Sequence, residues 1–447
     1  MQTFRLFLAL AGIVAVVALL IMKKDTKTVL IGVGLVLCAL CLKPLDGLGA
    51  FTSYMTKAGL IKAICASMGF AFVMKFTGCD RALVNLLTRP LGNIGFLLIP
   101  IVVALTYFIN IAIPSAAGCS AAVGATLIPV MMAAGVKPEM AGAAVFAGTF
   151  GGVLSPGSAH NVFVTDMVKA HNPSYTVQDV IAVQFSSAIT ALIVVLIVIS
   201  ITAIVCKDYT KGVNYLAQRE GSANSVAASS GDSSNLDAQP QKLNVLHALM
   251  PLVPLVILVI GGTSLNQVSF LKWTKMGVAE AMLLGAILTI AVTLTDPQKI
   301  TKEFFKGMGS AYAEIIGIII AAGVFVAGLS ACGAIDFVIE WLKGEQGYVK
   351  FGGTFVPFFM GVVTGSGDAA AMAFNTAVTV HADALGFEQD RLGMAVAISG
   401  ALGRSASPIA GACIVCAGLA MVSPIQIAKR TALGMFLSVC VIAFFIL

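Results

Sequence analysis

The chain has 447 residues, of which 58% are hydrophobic and 11% charged, with a mean hydropathy of +0.97 and a formal net charge of +6. A soluble chain carries roughly 45–50% apolar and about 25% charged residues, so these few charges cannot cover a globule of 46.1 kDa. The composition is that of a polytopic membrane protein. It excludes a soluble enzyme, a secreted disulfide scaffold and a nucleic-acid partner, and it assigns the positive charge to loops beside an anionic cytoplasmic leaflet.

A bilayer-spanning helix needs about 20 mostly apolar residues. In chain order, apolar runs occupy 6–22, 28–42, 58–76, 178–206, 245–262, 277–295, 310–332 and 427–447. The first is too long for the apolar part of a secretory leader and no small-residue cleavage site follows it, so it reads as a span. Two further regions, 94–168 and 351–421, are apolar but broken by Gly, Ser and Pro, and each holds a polar cluster at membrane depth. Residues 207–244 form the one long polar stretch, and its Ser/Asn/Ala/Asp-rich centre, 222–239, reads as a flexible linker. Nearly all of the 10 cysteines sit in apolar runs. Cys38/Cys41 and Cys413/Cys416 have C-x-x-C spacing, yet no His or polar surround accompanies them. They read as packing residues, not as a metal or redox site.

The chain also repeats itself. Shifted by 252 positions, Gly148-Thr-Phe-Gly-Gly-Val-Leu-Ser-Pro156 falls on Gly400-Ala-Leu-Gly-Arg-Ser-Ala-Ser-Pro408, sharing G-x-x-G-x-x-x-S-P. The hydropathy follows the same shift, so the chain reads as a duplicated transporter. The expected architecture is all-α: two inverted repeats, about ten transmembrane helices and two re-entrant hairpins, with broken helices at the site. The first repeat takes 1–206, with a hairpin at 94–134 and a broken helix at 139–168. The linker takes 207–244. The second repeat takes 245–447, with a hairpin at 351–385 and a broken helix at 391–421. A cytoplasmic linker puts most basic residues inside, among them Lys23, Lys24, Lys27, Lys207, Lys211, Lys299, Lys302 and Lys306, and leaves both termini periplasmic.

Inverted repeats with broken helices place a binding site at the midplane, where irregular backbone survives only if it lines a cavity or is buried in protein. Four segments fit. The first is Ser115, Ala116, Ala117 and Gly118, after Pro114. The second is Ser155, Pro156, Gly157, Ser158, His160 and Asn161. The third is Gly365, Ser366, Gly367 and Asp368, and the fourth is Arg404, Ser405, Ser407 and Pro408. Each offers hydroxyls or freed N–H groups at the start of a half-helix, an arrangement that favours anions. Arg404 suits a carboxylate through two parallel hydrogen bonds, with a structural pairing to Asp368 as the plainer reading. Asp368 and His160 are candidates for carrying a proton; the plainer readings are a helix N-cap for Asp368 and a satisfied polar residue for His160. Glu280 and Glu314 also lie in apolar runs, with ion-pair or interface roles open to them. Gly365-x-Gly367-x-x-Ala370 matches a dinucleotide fingerprint only in letters, since no βαβ unit surrounds it.

The stretches Ala322-Gly-Val-Phe-Val-Ala-Gly-Leu-Ser330, Thr364-Gly-Ser-Gly367, Leu402-Gly-Arg-Ser-Ala-Ser-Pro408 and Val422-Ser-Pro-Ile-Gln-Ile-Ala-Lys-Arg-Thr431 resemble the DcuC-type anaerobic C4-dicarboxylate transporters of the ion-transporter superfamily. The resemblance implies a secondary transporter of the bacterial inner membrane that works as a homodimer with elevator-type movement. It implies exchange or cation-linked flux of succinate, fumarate or malate, with protons favoured over sodium, no cofactor and no metal. Three positions depart from the family: Asp368 stands where Asn is frequent, His160 where an acid is frequent, and the first hairpin tip reads Pro-Ser-Ala-Ala-Gly in place of Ser-Ser-Ala-Thr-Gly. A carrier of another small anion, such as a hydroxy acid or an acidic amino acid whose ammonium meets Asp368, is the alternative. An intramembrane enzyme lacks H-E-x-x-H and G-x-S-x-G, a primary pump lacks a nucleotide loop, and a channel calls for a continuous polar pore.

Overall fold

The computed structural model describes residues 2–22, 24–56, 58–88, 95–217, 244–262, 269–334, 337 and 346–445. The Ser-rich centre expected to form the linker lies outside them. No strand occurs among the described residues, and Val136 and Tyr209 form an isolated antiparallel bridge. The first half runs α1 (Gln2–Ile21), α2 (Thr26–Leu40), α3 (Pro44–Met55), α4 (Ala58–Thr77), α5 (Cys79–Thr88), α6 (Leu98–Ala112), α7 (Ala116–Ala133), α8 (Pro138–Ala147), α9 (Ala159–Lys169) and α10 (Val177–Val205). The second half runs α11 (Val245–Leu249), α12 (Val253–Gly262), α13 (Val278–Thr293), α14 (Pro297–Ala311), α15 (Gly317–Ala331), α16 (Gln346–Thr364), α17 (Gly367–Ala377), α18 (Gln389–Arg404), α19 (Gly411–Ala420) and α20 (Pro424–Phe445).

Among the described residues, 6 helices are long and apolar enough to cross a membrane, or up to 7 if each bent pair is one span. The chain is therefore a multi-pass membrane protein. The expected count of about ten draws on shorter apolar helices as well. One is α2, whose 15 residues reach about 22 Å at 1.5 Å each, short of a hydrocarbon core of about 30 Å. The run at 58–76 is longer than a simple span. It bends by 74° into α5, at Gly78, whose φ of +70° turns the chain at little cost.

The same order of elements occurs in both halves: a hairpin of two helices, a helix that is interrupted, a short helix beyond the break, then a long apolar helix. The hairpins are α6–α7 and α16–α17, the interrupted helices α8–α9 and α18–α19, and the long helices α10 and α20. The repeated glycines have a packing cause. A Cβ on Gly148 or Gly151 would strike the carbonyls of Val103 and Tyr107 on α6. A Cβ on Gly403 would strike the Phe358 carbonyl on α16, and one on Gly400 would lie 2.7 Å from the Gly367 carbonyl. Hairpin and interrupted helix touch backbone to backbone in each half, a crossing that small residues permit.

The principal core gathers α6, α7, α8, α10, α18, α19 and α20 around Tyr107, Phe146 and Phe150. Every residue of the apolar window within Pro138–Lys169 is buried. The outer faces of α10 and α20 carry exposed Ile193, Ile197, Ile201, Leu433 and Phe444. Such a surface suits lipid, not water.

Candidate functional site

Pro114 lacks an N–H, and α6 ends two residues before it, at Ala112. Ser115 then turns extended and caps α7, its Oγ accepting from the Gly118 N–H at 3.2 Å. The second hairpin turns at Gly365, φ +71°, and Ser366 caps α17 by accepting from the Ala369 N–H at 3.2 Å. The capping role weighed for Asp368 thus belongs to Ser366. Asp368 is the second residue of the half-helix, and its carboxylate is free to reach elsewhere.

In the first half, α8 tightens into a 3-10 segment at Gly148–Leu154 and the chain stays non-helical until Ser158, before α9 begins. Such unwinding at depth frees backbone groups that need partners. Asn110 and Asn161 supply them. Asn110 Oδ1 accepts from the Gly152 N–H at 2.6 Å while its Nδ2 donates to the Ile113 carbonyl at 2.9 Å, tying hairpin tip to unwound segment. Asn161 Nδ2 donates to the Val153 and Ser155 carbonyls at 2.7 and 2.8 Å, and Gln184 of α10 donates to Asn161 Oδ1 at 3.0 Å.

In the second half, α18 ends at Arg404, where a cation complements the negative end of the helix. Ser407 Oγ donates to the Val362 carbonyl at 2.7 Å. Arg404 Nη2 donates to the Thr149 carbonyl at 2.7 Å, and Ser405 Oγ lies 3.4 Å from Thr149 Oγ1. The two interruptions therefore meet. Arg404 forms no ion pair with Asp368 among the described residues; its first partner is the unwound segment of the other half.

A cavity of about 200 Å³ opens where the interruptions meet the first hairpin tip. Ser115, Ala116, Gly157, Ser158, His160, Asp368 and Arg404 line it, with Ile64, Ser67, Met68 and Ala71 of α4 forming a wall. Pockets for drug-sized ligands run about 300–1,000 Å³, so this volume suits a small metabolite. His160 Nδ1 lies 3.1 Å from Asp368 Oδ1, joining the halves across 208 positions of sequence. An ionised carboxylate only accepts, so the shared proton rests on Nδ1 unless Asp368 is itself protonated. The Asp368 side chain keeps 40% of its surface open, against 7% for His160. Three buried polar atoms of the lining have no partner: Ser158 Oγ, His160 Nε2 and Arg404 Nε. Buried polar atoms without partners are rare, and three of those found among the described residues converge on this cavity.

Other residues expected at the site fall outside the lining. Asn161, Ser405 and Ser407 are fully buried, and their hydrogen bonds hold the interruptions in shape. Ser155 and Pro156 line a smaller apolar cleft beside the cavity. Ala117, Gly118, Gly365, Ser366, Gly367 and Pro408 sit in or beside the tips without lining the cavity. Glu314 pairs with Lys27 at 3.0 Å with 69% of its side chain exposed, and Glu280 is exposed in the first turn of α13. Sequence reasoning missed Ser67, Thr149, Asn110 and Gln184. The last two are amides inside apolar runs, a signal that was available. Among the described residues no group of three or more His, Cys, Asp or Glu is placed to hold a metal ion.

The family model for the C4-dicarboxylate anaerobic carrier, DcuC, matches residues 47–447. A putative uncharacterized transporter of Haemophilus influenzae is 52% identical over 301 residues, covering 66% of this chain and 100% of that protein. The anaerobic C4-dicarboxylate transporter DcuC of Escherichia coli K12 is 25% identical over 398 residues, covering 86% of this chain and 78% of its own. Among solved structures, MtrF of Neisseria gonorrhoeae, described with a class of antimetabolite efflux pumps, aligns with a TM-score of 0.58 over 90% of this chain and 83% of its own. Identity there is 12%, so that likeness concerns the fold alone. A family match over nearly the whole length, on a multi-pass helical chain whose halves meet around a small polar cavity, settles the class: the chain belongs to the DcuC family of C4-dicarboxylate carriers, and is a transporter, not an enzyme.

Proposed function

We propose that the protein is a secondary carrier of C4-dicarboxylates, such as succinate, fumarate or malate, in the bacterial inner membrane. The observation that carries the reading is the cavity in which Arg404, the capped start of α7 and the start of α9 converge. Two helix N-termini and a guanidinium can each hold a carboxylate. The recurring hairpin, interruption and half-helix support two inverted repeats, with residues 94–134 and 351–385 as re-entrant hairpins. The linker then faces the cytoplasm and both termini the periplasm, and the hairpins and interrupted helices move together past the remaining helices as an elevator in each protomer of a homodimer.

The His160–Asp368 pair supports proton coupling over sodium, since both groups take up protons. One observation favours a second reading. The Asp368 carboxylate, partly open to the cavity, would repel one end of a dianion but attract an ammonium, as in an acidic amino acid. Counterflow of labelled succinate in proteoliposomes tests the proposal. Succinate, fumarate and malate should compete with the label while aspartate and lactate compete weakly. Absence of counterflow would remove the carrier reading for C4-dicarboxylates, and stronger competition by aspartate would move the assignment to the amino acid.

A further inference from the structure

We propose that Cys41 and Cys332 form a disulfide that staples the first half of the chain to the second, away from the cavity. Their sulfurs lie 2.8 Å apart, closer than two unbonded sulfurs rest and within about 0.8 Å of the S–S bond length of about 2.05 Å. Both are buried, with 5% and 1% of their surfaces exposed. Each is the residue that ends its helix, Cys41 closing α2 and Cys332 closing α15.

A second observation shows that the meeting is built into the fold. A Cβ on Gly34 would come within 2.6 Å of the Val324 carbonyl, and one on Gly328 within 2.7 Å of the Gly34 carbonyl. The helices therefore touch backbone to backbone about two turns before the thiols. Gly34, Cys38 and Cys41 follow one another at i, i+4 and i+7, so they share one face of α2, and Gly328 and Cys332 share a face of α15 at i and i+4. At the other end, Lys27 Nζ lies 3.0 Å from Glu314 Oε2. Contacts that advance together along both helices make the pair parallel, with its Cys ends on one side. In the orientation under Proposed function that side is the periplasm, where disulfides form and persist. The proposal adds to the packing role read for Cys41 a bond with a residue 291 positions away, whose sulfur already touches its own.

The chemistry needs a disulfide donor, either a periplasmic dithiol oxidase or oxidised glutathione. One thiolate attacks a donor sulfur and releases the first donor thiol. The second thiolate attacks that mixed disulfide and releases the other. Two protein thiols become one disulfide, and the donor disulfide becomes two thiols.

The test uses the full chain with a protease site placed within residues 222–239, cleaved after the cells are acid-trapped and alkylated. On a denaturing gel without reductant the halves should run as one full-length species, and reductant should separate them. Because reductant acts on the parent protein, this arm depends on no variant. Cys41→Ala and Cys332→Ala should separate without reductant, whereas Cys38→Ala should stay joined; joined halves in Cys41→Ala would overturn the pairing. Purified reduced protein treated with oxidised glutathione distinguishes site from side. Halves that join there but not in trapped cells overturn the oxidising location, and halves that join in neither overturn the site.

Discussion

Four helices start at the hairpin tips and interruptions, and their second residues differ sharply. On one side α7 and α19 pack together, with Ala117 and Ala412 at that position; Cys119, Cys413 and Cys416 are buried between them, and a Cβ on Gly124 would come 2.8 Å from Leu419. On the other side α9 and α17 place His160 and Asp368 there, joined at 3.1 Å on the edge of the cavity. The interruptions repeat the contrast: Arg404 stands where the shifted first half has Gly152. Backbone architecture recurs between the halves while charge does not. The recurring parts are those that need small residues for close approach, and the unique parts are those that can meet a ligand. The frame is common to both halves, and the charged groups stand on one side of it.

Removing Arg404 should break the charged side most. Losing a charged hydrogen-bond partner from a desolvated site costs about 2–5 kcal/mol, on the order of 30- to several-thousand-fold in affinity. Arg404→Ala should therefore abolish succinate binding to the purified protein. Arg404→Lys should recover only part of it, because an ammonium lacks the planar fork. Isothermal titration of protein shown to be folded reads both. Parent-like succinate binding by Arg404→Ala would leave Arg404 as a strut for the Thr149 carbonyl and nothing more.

The shared frame is tested by an equal blow to each half. Gly151→Ala and Gly403→Ala both push a methyl into a hairpin carbonyl, and overpacking of this kind costs about 1–3 kcal/mol. Both variants should lose melting temperature in detergent to a similar degree. A large loss in one and none in the other would mean that the hairpins are not held alike.

The frame was the legible part of the sequence. A shift of 252 positions superimposes Gly148 and Gly151 on Gly400 and Gly403, and the structure gives that match a steric cause. Arg404 was legible too, because a charge at depth is costly. Its partner was not, since a backbone carbonyl on Thr149 leaves no mark in a sequence. The His160–Asp368 contact was equally hidden, for it joins two helices 208 positions apart. Asp368 also read as a cap because Asp is common there, although Ser366, two residues earlier, holds the position. The bend at Gly78 went unread because the apolar run continues up to it.

Neutralising Asp368 should separate the two sides by pH. If Asp368 gains and loses a proton in the cycle, Asp368→Asn should flatten the pH dependence of net uptake while leaving counterflow near the parent. Ala117→Asp puts a carboxylate at the same helical position on the other side and should leave the pH profile of the parent. An unchanged profile in Asp368→Asn would end the proton role. A profile altered by Ala117→Asp would show that both sides reach the transported proton.

The smallest expected effect is also the sharpest test of where frame ends and site begins. Ser115 and Ser366 each cap the second helix of a hairpin with the same bond, accepting from the third residue onward at 3.2 Å. Loss of a serine cap costs about 0.5–2 kcal/mol, so Ser115→Ala and Ser366→Ala should lower the melting temperature alike, and the double variant should lose the sum. Their effects on transport should differ. Ser115 lines the cavity and Ser366 does not, so Ser115→Ala should also raise the succinate concentration needed for half-maximal uptake, by a factor equivalent to about 1 kcal/mol, roughly fivefold. Ser366→Ala should leave that concentration near the parent value. Melting curves and initial rates on the same preparations read both quantities. Equal kinetic losses would place Ser366 in the path of the substrate, and no kinetic loss in either would confine Ser115 to the frame.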